Sequence, residues 1–241
     1  GGWRCLGIPA PGAGAVGGAE NQRACAGLRL SVYYGGTFDP VHLGHIAVAD
    51  AACRLLHTSV HIVPSADPPH RAPASASAEQ RATMVELAIA GHQGLVCDRR
   101  ELRRSGKSYC VDTLCGLRAE LGGTQPIAWL IGMDAFIGLD GWHEWPALFD
   151  LAHFVVVQRP EQSLRSMSAG LQNACNGRWQ TSPEALYSTP AGKLYIMPLA
   201  LRHESSTAIR AGLARHEDVS AYLPSAVAEY IQFHQLYASG V

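Results

Sequence analysis

The eleven residues Gly35-Gly36-Thr37-Phe38-Asp39-Pro40-Val41-His42-Leu43-Gly44-His45 constrain this chain more than any other stretch. An apolar, β-branched run from Leu28 to Tyr34 precedes them and reads as a strand. Ile46 to Leu56 follows and reads as a helix. Strand, glycine-rich turn, helix is the arrangement in which backbone N–H groups at a helix start hold a phosphate. His42 and His45 stand three apart, which on a helix places them on one face. Either ring can donate a hydrogen bond to a phosphate oxygen. Gly35, Gly36 and Gly44 carry no Cβ and so allow backbone or ligand to come close. Pro40 fixes the turn.

The rest of the chain repeats that alternation. Strands are expected at Ser59–Val63, Leu95–Cys97, Pro126–Ile131, Ala152–Val157 and Leu194–Met197. The Pro126–Ile131 run is almost continuously apolar, the pattern of a strand buried on both faces. Ser77 and Gln80 form a capping box for the next helix. Arg81, three before Met84, is placed either toward the sheet end or in water. Ser108 is expected to cap a helix through Leu121, and Gly122-Gly123 stops it. A further helix opens at Glu204-Ser205-Ser206-Thr207-Ala208-Ile209-Arg210, and a terminal one runs from Tyr222-Leu223-Pro224 to about Leu236. Residues 161–192 are small and polar, a loop-rich insertion with room for one short helix. Alternation throughout predicts one doubly wound, parallel, Rossmann-like α/β domain over residues 28–241. Residues 1–27, rich in Gly and Ala, are expected to be a disordered extension.

Several other readings are excluded. Gly12-Ala13-Gly14-Ala15-Val16-Gly17 spells a dinucleotide fingerprint, but two prolines precede it where a strand is needed. Gly106-Lys107-Ser108 looks like the tail of a phosphate-binding P-loop, but Glu101 holds the place of the required glycine. The Arg-rich run 98–107 reads as a solvated face. The 19 basic and 20 acidic residues leave a net charge of −1, so no global field draws nucleic acid. Seven cysteines form no C-x-x-C pair and are odd in number, which argues for a reducing compartment and a cytoplasmic protein. Apolar runs such as Phe154–Val157 are too short to span a bilayer. A homo-oligomer is left open.

The opening stretch resembles the GxFxPxHxGH signature of the nucleotidyltransferase superfamily. In chain order GGTFDPVHLGH, PPHR, SYCVDTL, IGMD, WHEW, QRP, SSTAIR and YLP together resemble its nicotinate-nucleotide adenylyltransferase family, over about Leu28 to Leu236. The resemblance implies adenylyl transfer from ATP to nicotinate mononucleotide in NAD biosynthesis, with Mg²⁺ accompanying ATP and no side chain assigned as its ligand. It implies that Gly35, Gly36, Thr37 and Phe38 lie against ATP and that His42 and His45 meet its phosphates as catalytic groups. Gly132 and Asp134 correspond to strand-end residues near the nucleotide. Ser205, Ser206, Thr207 and Arg210 correspond to an element that closes on the triphosphate. His70, Arg71, Thr113, Trp142 and His143 fall in segments that resemble the nicotinate mononucleotide site. For Trp142 the residues alone allow either ring stacking or core filling. Cys110 stands where the family often has threonine, and Glu204 replaces an apolar residue. The alternatives are another adenylyl- or cytidylyltransferase, such as pantetheine-phosphate adenylyltransferase, and a nucleotide-binding paralogue without turnover.

Overall fold

The computed structural model describes residues 29–68, 74–158, 164–199 and 205–238. Among these residues seven strands form one sheet: β1 Ser31–Gly36, β2 Val60–Pro64, β3 Leu95–Cys97, β4 Ile127–Gly132, β5 His153–Val157, β6 Trp179–Gln180 and β7 Leu194–Met197. Their order is β3-β2-β1-β4-β5-β7-β6, and every pairing is parallel. The chain winds one way from β1 to β3, then crosses back to lay β4 on the other side of β1. This reversal leaves a crevice above the carboxyl ends of β1 and β4, where open α/β sheets bind ligands.

Alternation along each central strand feeds two separate cores. Val32 and Tyr34 of β1, Leu130 of β4 and Val155 of β5 join the cluster under helices α1 (Leu43–Leu55), α2 (Ala78–Ile89), α7 (Ser206–Ala214) and α8 (Ser225–Phe233). Tyr33, Trp129 and Phe154 point the other way. They pack with α3 (Cys110–Leu121), α4 (Met133–Ile137), α5 (Trp145–Leu151) and α6 (Ala169–Cys175). A period of two on a strand produces this division without further instruction.

Some expectations fail locally. Pro64 pairs with Gly36 as the last residue of β2 instead of ending it beforehand. A ladder on β2 tolerates proline at its end because only one donor is lost. The segment read as an insertion contains the expected short helix, α6, but also β6, which extends the sheet by two residues beside β7. Two residues are too few to show a period. Ser108 does not cap α3. Tyr109 is its N-cap, and Ser108 Oγ instead accepts from Ala66 N–H at 2.9 Å and Asp67 N–H at 3.1 Å. The 98–107 run is not uniformly solvated either: Arg99 pairs with Glu79 and Glu86, Arg100 with Asp98 and Glu120, and Glu101 is buried.

At the opposite end of the sheet His153 is fully buried at the start of β5. Its Nδ1 accepts from Lys193 N–H at 3.0 Å, so the neutral ring carries its proton on Nε2 and donates to Thr189 O at 2.8 Å. Burial lowers its pKa from 6.5 to about 4. Below pH 6.5 the unfolded chain therefore binds a proton that the folded one refuses. Stability is expected to fall by about 3 kcal/mol as the pH drops from 6.5 to 4 through this group. Denaturant unfolding of His153→Gln should show that much less acid sensitivity; an identical acid limb would remove His153 as its source.

Candidate active site

The crevice is a cleft of about 800 Å³ above β1 and β4. That volume suits a ligand of nucleotide size. Its floor is the Gly35–His45 turn. Gly35 and Gly36 close β1, and each is glycine for a reason the motif does not reveal. A Cβ on Gly35 would stand 2.1 Å from the Trp129 ring, and one on Gly36 would stand 2.8 Å from the Phe38 ring. The missing side chains make room for neighbouring rings, not only for ligand. Phe38 itself takes a left-handed backbone, φ 52°, and its ring lies edge-on to Tyr34 and His45.

His42 is the N-cap of α1, in a capping box with His45. His42 N–H donates to His45 Nδ1 at 3.3 Å, and the two rings stack with centroids 3.7 Å apart. His42 is buried at 2% exposure and His45 is half-buried; both line the cleft. Because Nδ1 of His45 accepts, the neutral ring carries its proton on Nε2, a donor suited to a phosphate oxygen. The first turn of α1 adds N–H groups without intrahelical partners and a partial positive charge of roughly half a unit.

Asp39 anchors this turn. Its carboxylate accepts from Ser75 N–H, Ala76 N–H and Tyr237 O–H at 2.9, 3.2 and 2.7 Å. Burial and that bond to Asp39 push the Tyr237 hydroxyl's pKa upward. Arg81 settles on the sheet side of the choice the sequence left open. It is 1% exposed and donates to Thr37 O, Ala66 O and Ala76 O at 2.6, 3.1 and 3.2 Å.

The start of α7 lies against the same turn. Ser205 Oγ caps the helix by accepting from Ala208 N–H, and Ser206 Oγ donates to Pro40 O at 3.0 Å. Arg210 Nη1 donates to Asp39 O at 2.6 Å. Ser205, Ser206, Thr207 and Arg210 thus line the cleft together with both histidines, although some 160 residues separate them. Gly132 and Asp134 bring the end of β4 to the same rim, with Asp134 exposed.

Part of the cleft lining is aromatic. It includes Trp142, His143 and Tyr109, and the Tyr109 and His143 rings lie 4.3 Å apart. Cys110, also lining, begins α3; burial raises its thiol pKa far above the ordinary range. Thr113 departs from its expected place. It is 2% exposed, does not line the cleft, and spends its hydroxyl on Glu101 Oε1 at 2.6 Å. His70 and Arg71 lie outside the described residues, as do Glu204 and the 1–27 extension. Sequence reasoning passed over Glu101, Tyr109, Trp129 and Ser65, all of which line the cleft. Ser65 Oγ is buried without a partner among the described residues, a further hydroxyl at the end of β2. The position of Ser65 after a strand end was a usable signal; Glu101 sat in a charged run that read as surface.

Comparison with known proteins agrees with this architecture. The cytidylyltransferase-like family profile matches residues 33–212. A protein of Stenotrophomonas maltophilia named "probable nicotinate-nucleotide adenylyltransferase" is 50% identical, over 88% of this chain and 98% of its own. The chain belongs to the nicotinate-nucleotide adenylyltransferase family. A Xylella fastidiosa protein of the same name is 41% identical over 86% of this chain and 96% of its own. The solved Plasmodium falciparum nicotinic acid mononucleotide adenylyltransferase, complexed with NaAD, shares the fold. Its TM-score is 0.66 at 17% identity, covering 87% of this chain and 97% of that one. Among the described residues no helix is long and apolar enough to cross a membrane.

Proposed function

We propose that the cleft joins the adenylyl group of ATP to the 5′-phosphate of nicotinate mononucleotide, giving nicotinic acid adenine dinucleotide and pyrophosphate. The observation that carries this reading is convergence. The histidine pair, the α1 start and the Ser205–Arg210 turn line one cleft, and Trp142, His143 and Tyr109 line it with them. The named relatives supply the acceptor.

The chemistry follows from charge. The acceptor phosphate attacks the α-phosphorus of ATP in line, and the bond to pyrophosphate breaks. Two anions must approach and negative charge moves to the leaving oxygens. Positioning and electrostatic stabilisation therefore do the catalysis, with no side-chain nucleophile. His45 Nε2–H, His42 and the α1 N–H groups would meet the phosphates, and Arg210 the departing pyrophosphate. Ser205, Ser206 and Thr207 add hydroxyls and N–H groups. Among the described residues no cluster of three or more His, Cys, Asp or Glu could ligate a metal. Mg²⁺, implied by the family resemblance, would arrive with ATP and neutralise part of the triphosphate charge. For the acceptor, Trp142 would stack the pyridine ring. The first turn of α3 at Cys110 offers backbone N–H groups to the carboxylate. Cys110 removes the hydroxyl a threonine would have added there.

Trp142→Ala is expected to raise the Michaelis constant for the mononucleotide about tenfold, the loss of one aromatic stacking contact, and to leave that for ATP nearly unchanged. Equal effects on both would remove the stacking role. A panel of acceptors (nicotinate mononucleotide, its amide, phosphopantetheine) with ATP and a pyrophosphate readout tests the function itself. Release only with phosphopantetheine, or with none, would overturn it.

A further inference from the structure

Glu101 belongs to the single-turn 3₁₀ segment Arg100–Arg103 after β3, yet it is 5% exposed and lines the cleft. Its two oxygens have different fates. Oε1 accepts from Thr113 Oγ1 at 2.6 Å. Oε2 is buried, and the Ser108 hydroxyl, whose oxygen accepts from Ala66 and Asp67 N–H, also bonds to this carboxylate. The arginines beside it in sequence are engaged elsewhere: Arg99 with Glu79 and Glu86, Arg100 with Asp98 and Glu120. Arg104 acts on it only through space. A buried carboxylate with no cation in ion-pair contact is costly to keep, and Thr113, Ser108 and the charge of Arg104 offset only part of that cost. It lies beneath Tyr109 and Cys110, because Thr113 is one turn along α3 and its N–H bonds back to Tyr109 O.

The acceptor assigned above has a charge to match. The glycosidic bond makes the ring nitrogen of a pyridine mononucleotide quaternary, so the ring carries a fixed positive charge. We infer that Glu101 selects the acceptor by the charge of its ring, its buried carboxylate serving as counter-charge to a pyridinium held beside Trp142 and Tyr109 in the cleft. The inference rests on the acceptor reading of the preceding subsection. Oε2 need not touch the ring: in a poorly solvated site a unit charge acts across several ångströms with little screening. The aromatic faces of Trp142 and Tyr109 favour the same cation. Burial opposes the ionised carboxylate and raises its pKa, whereas the bonds from Thr113 and Ser108 and the charge of Arg104 favour it. Thr113, expected from sequence to touch substrate, is then a positioning residue for Glu101.

The test compares two acceptors that differ in ring charge: nicotinate mononucleotide and its 1,4-dihydro form, whose ring is neutral. Wild type is expected to favour the pyridinium about tenfold or more in kcat/KM. Glu101→Gln keeps the size of the side chain and an acceptor for Thr113. It should reduce that preference severalfold, leaving only the part due to the aromatic faces, by lowering kcat/KM for the pyridinium alone, with the KM for ATP unchanged. A parallel loss on both acceptors, or an undiminished preference, would mean that Glu101 only supports the fold. If Glu101→Gln does not fold, Thr113→Val takes its place, since losing the bond to Oε1 should weaken the preference in the same direction; an intact preference there overturns the inference. A wild-type protein that uses phosphopantetheine but neither pyridine mononucleotide would overturn the acceptor reading and this inference with it.

Discussion

His45→Ala is expected to lower turnover by ~10² to 10³-fold, the usual effect of removing one oriented donor from a charge-stabilising site. The binding of ATP should change far less, because the α1 N–H groups and Arg210 remain. The geometry explains why the effect should be large for a single ring. His42 N–H occupies Nδ1 of His45, and the neighbouring His42 and Phe38 rings hold the imidazole from its faces and edge. The donor is thus oriented before substrate arrives, and no reorganisation is needed during the reaction. Folding should survive, since the substitution removes one capping contact worth about 1 kcal/mol. Steady-state kinetics with a parallel thermal unfolding curve would decide. An unchanged turnover would take His45 out of the chemistry, and a collapse of the unfolding transition would make its role structural.

Arg81→Met is expected to be the most damaging substitution outside the cleft lining. It leaves three carbonyl oxygens, those of Thr37, Ala66 and Ala76, without their donor. At about 1–3 kcal/mol for each buried group left unsatisfied, three would cost roughly 3–9 kcal/mol, and the part-buried Thr37 and Ala66 place the loss at the lower end, about 3–5 kcal/mol. That is a large part of the stability of an ordinary domain. Turnover should fall as well, because Thr37 belongs to the Gly35–His45 turn and Ala66 and Ala76 to the loop after β2. One guanidinium fastens the two. Arg81→Lys should recover part of the stability and little of the turnover, since an ammonium cannot span three carbonyls with a planar fork. Denaturant unfolding together with kcat would show it; a methionine variant of wild-type stability would mean that these carbonyls find water instead.

Much of the molecule was legible because its signals are local. Apolar runs gave the central strands, and the Ser77–Gln80 capping box stands where expected, with Gln80 N–H donating to Ser77 Oγ and Ser77 N–H to Gln80 Oε1. The histidine pair and the glycine turn marked, through their spacing, a stretch that lines the cleft. Glu101 and Tyr109 were not legible. Charge in a sequence reads as exposure, and nothing local says that a short 3₁₀ turn will push one carboxylate of a polar run beneath a helix start. Thr113 failed for the same reason: its helix was correctly placed, but which face of α3 meets the cleft depends on packing.

By itself the sequence determined the alternation of strands and helices, hence a parallel sheet with a crevice where its order reverses. It also determined that Gly35–His45 is a glycine-rich strand-to-helix turn with two histidines, since both follow from periodicity and from what adjacent residues can do together. Only the tertiary structure decided that Gly35 and Gly36 yield space to Trp129 and Phe38, and that Ser206 and Arg210 reach across to Pro40 and Asp39. It alone decided that Arg81 and Glu101 carry their charges inside. Those outcomes depend on contacts between distant parts of the chain and on which buried polar groups are left to satisfy one another, and neither quantity is written in any local run of residues.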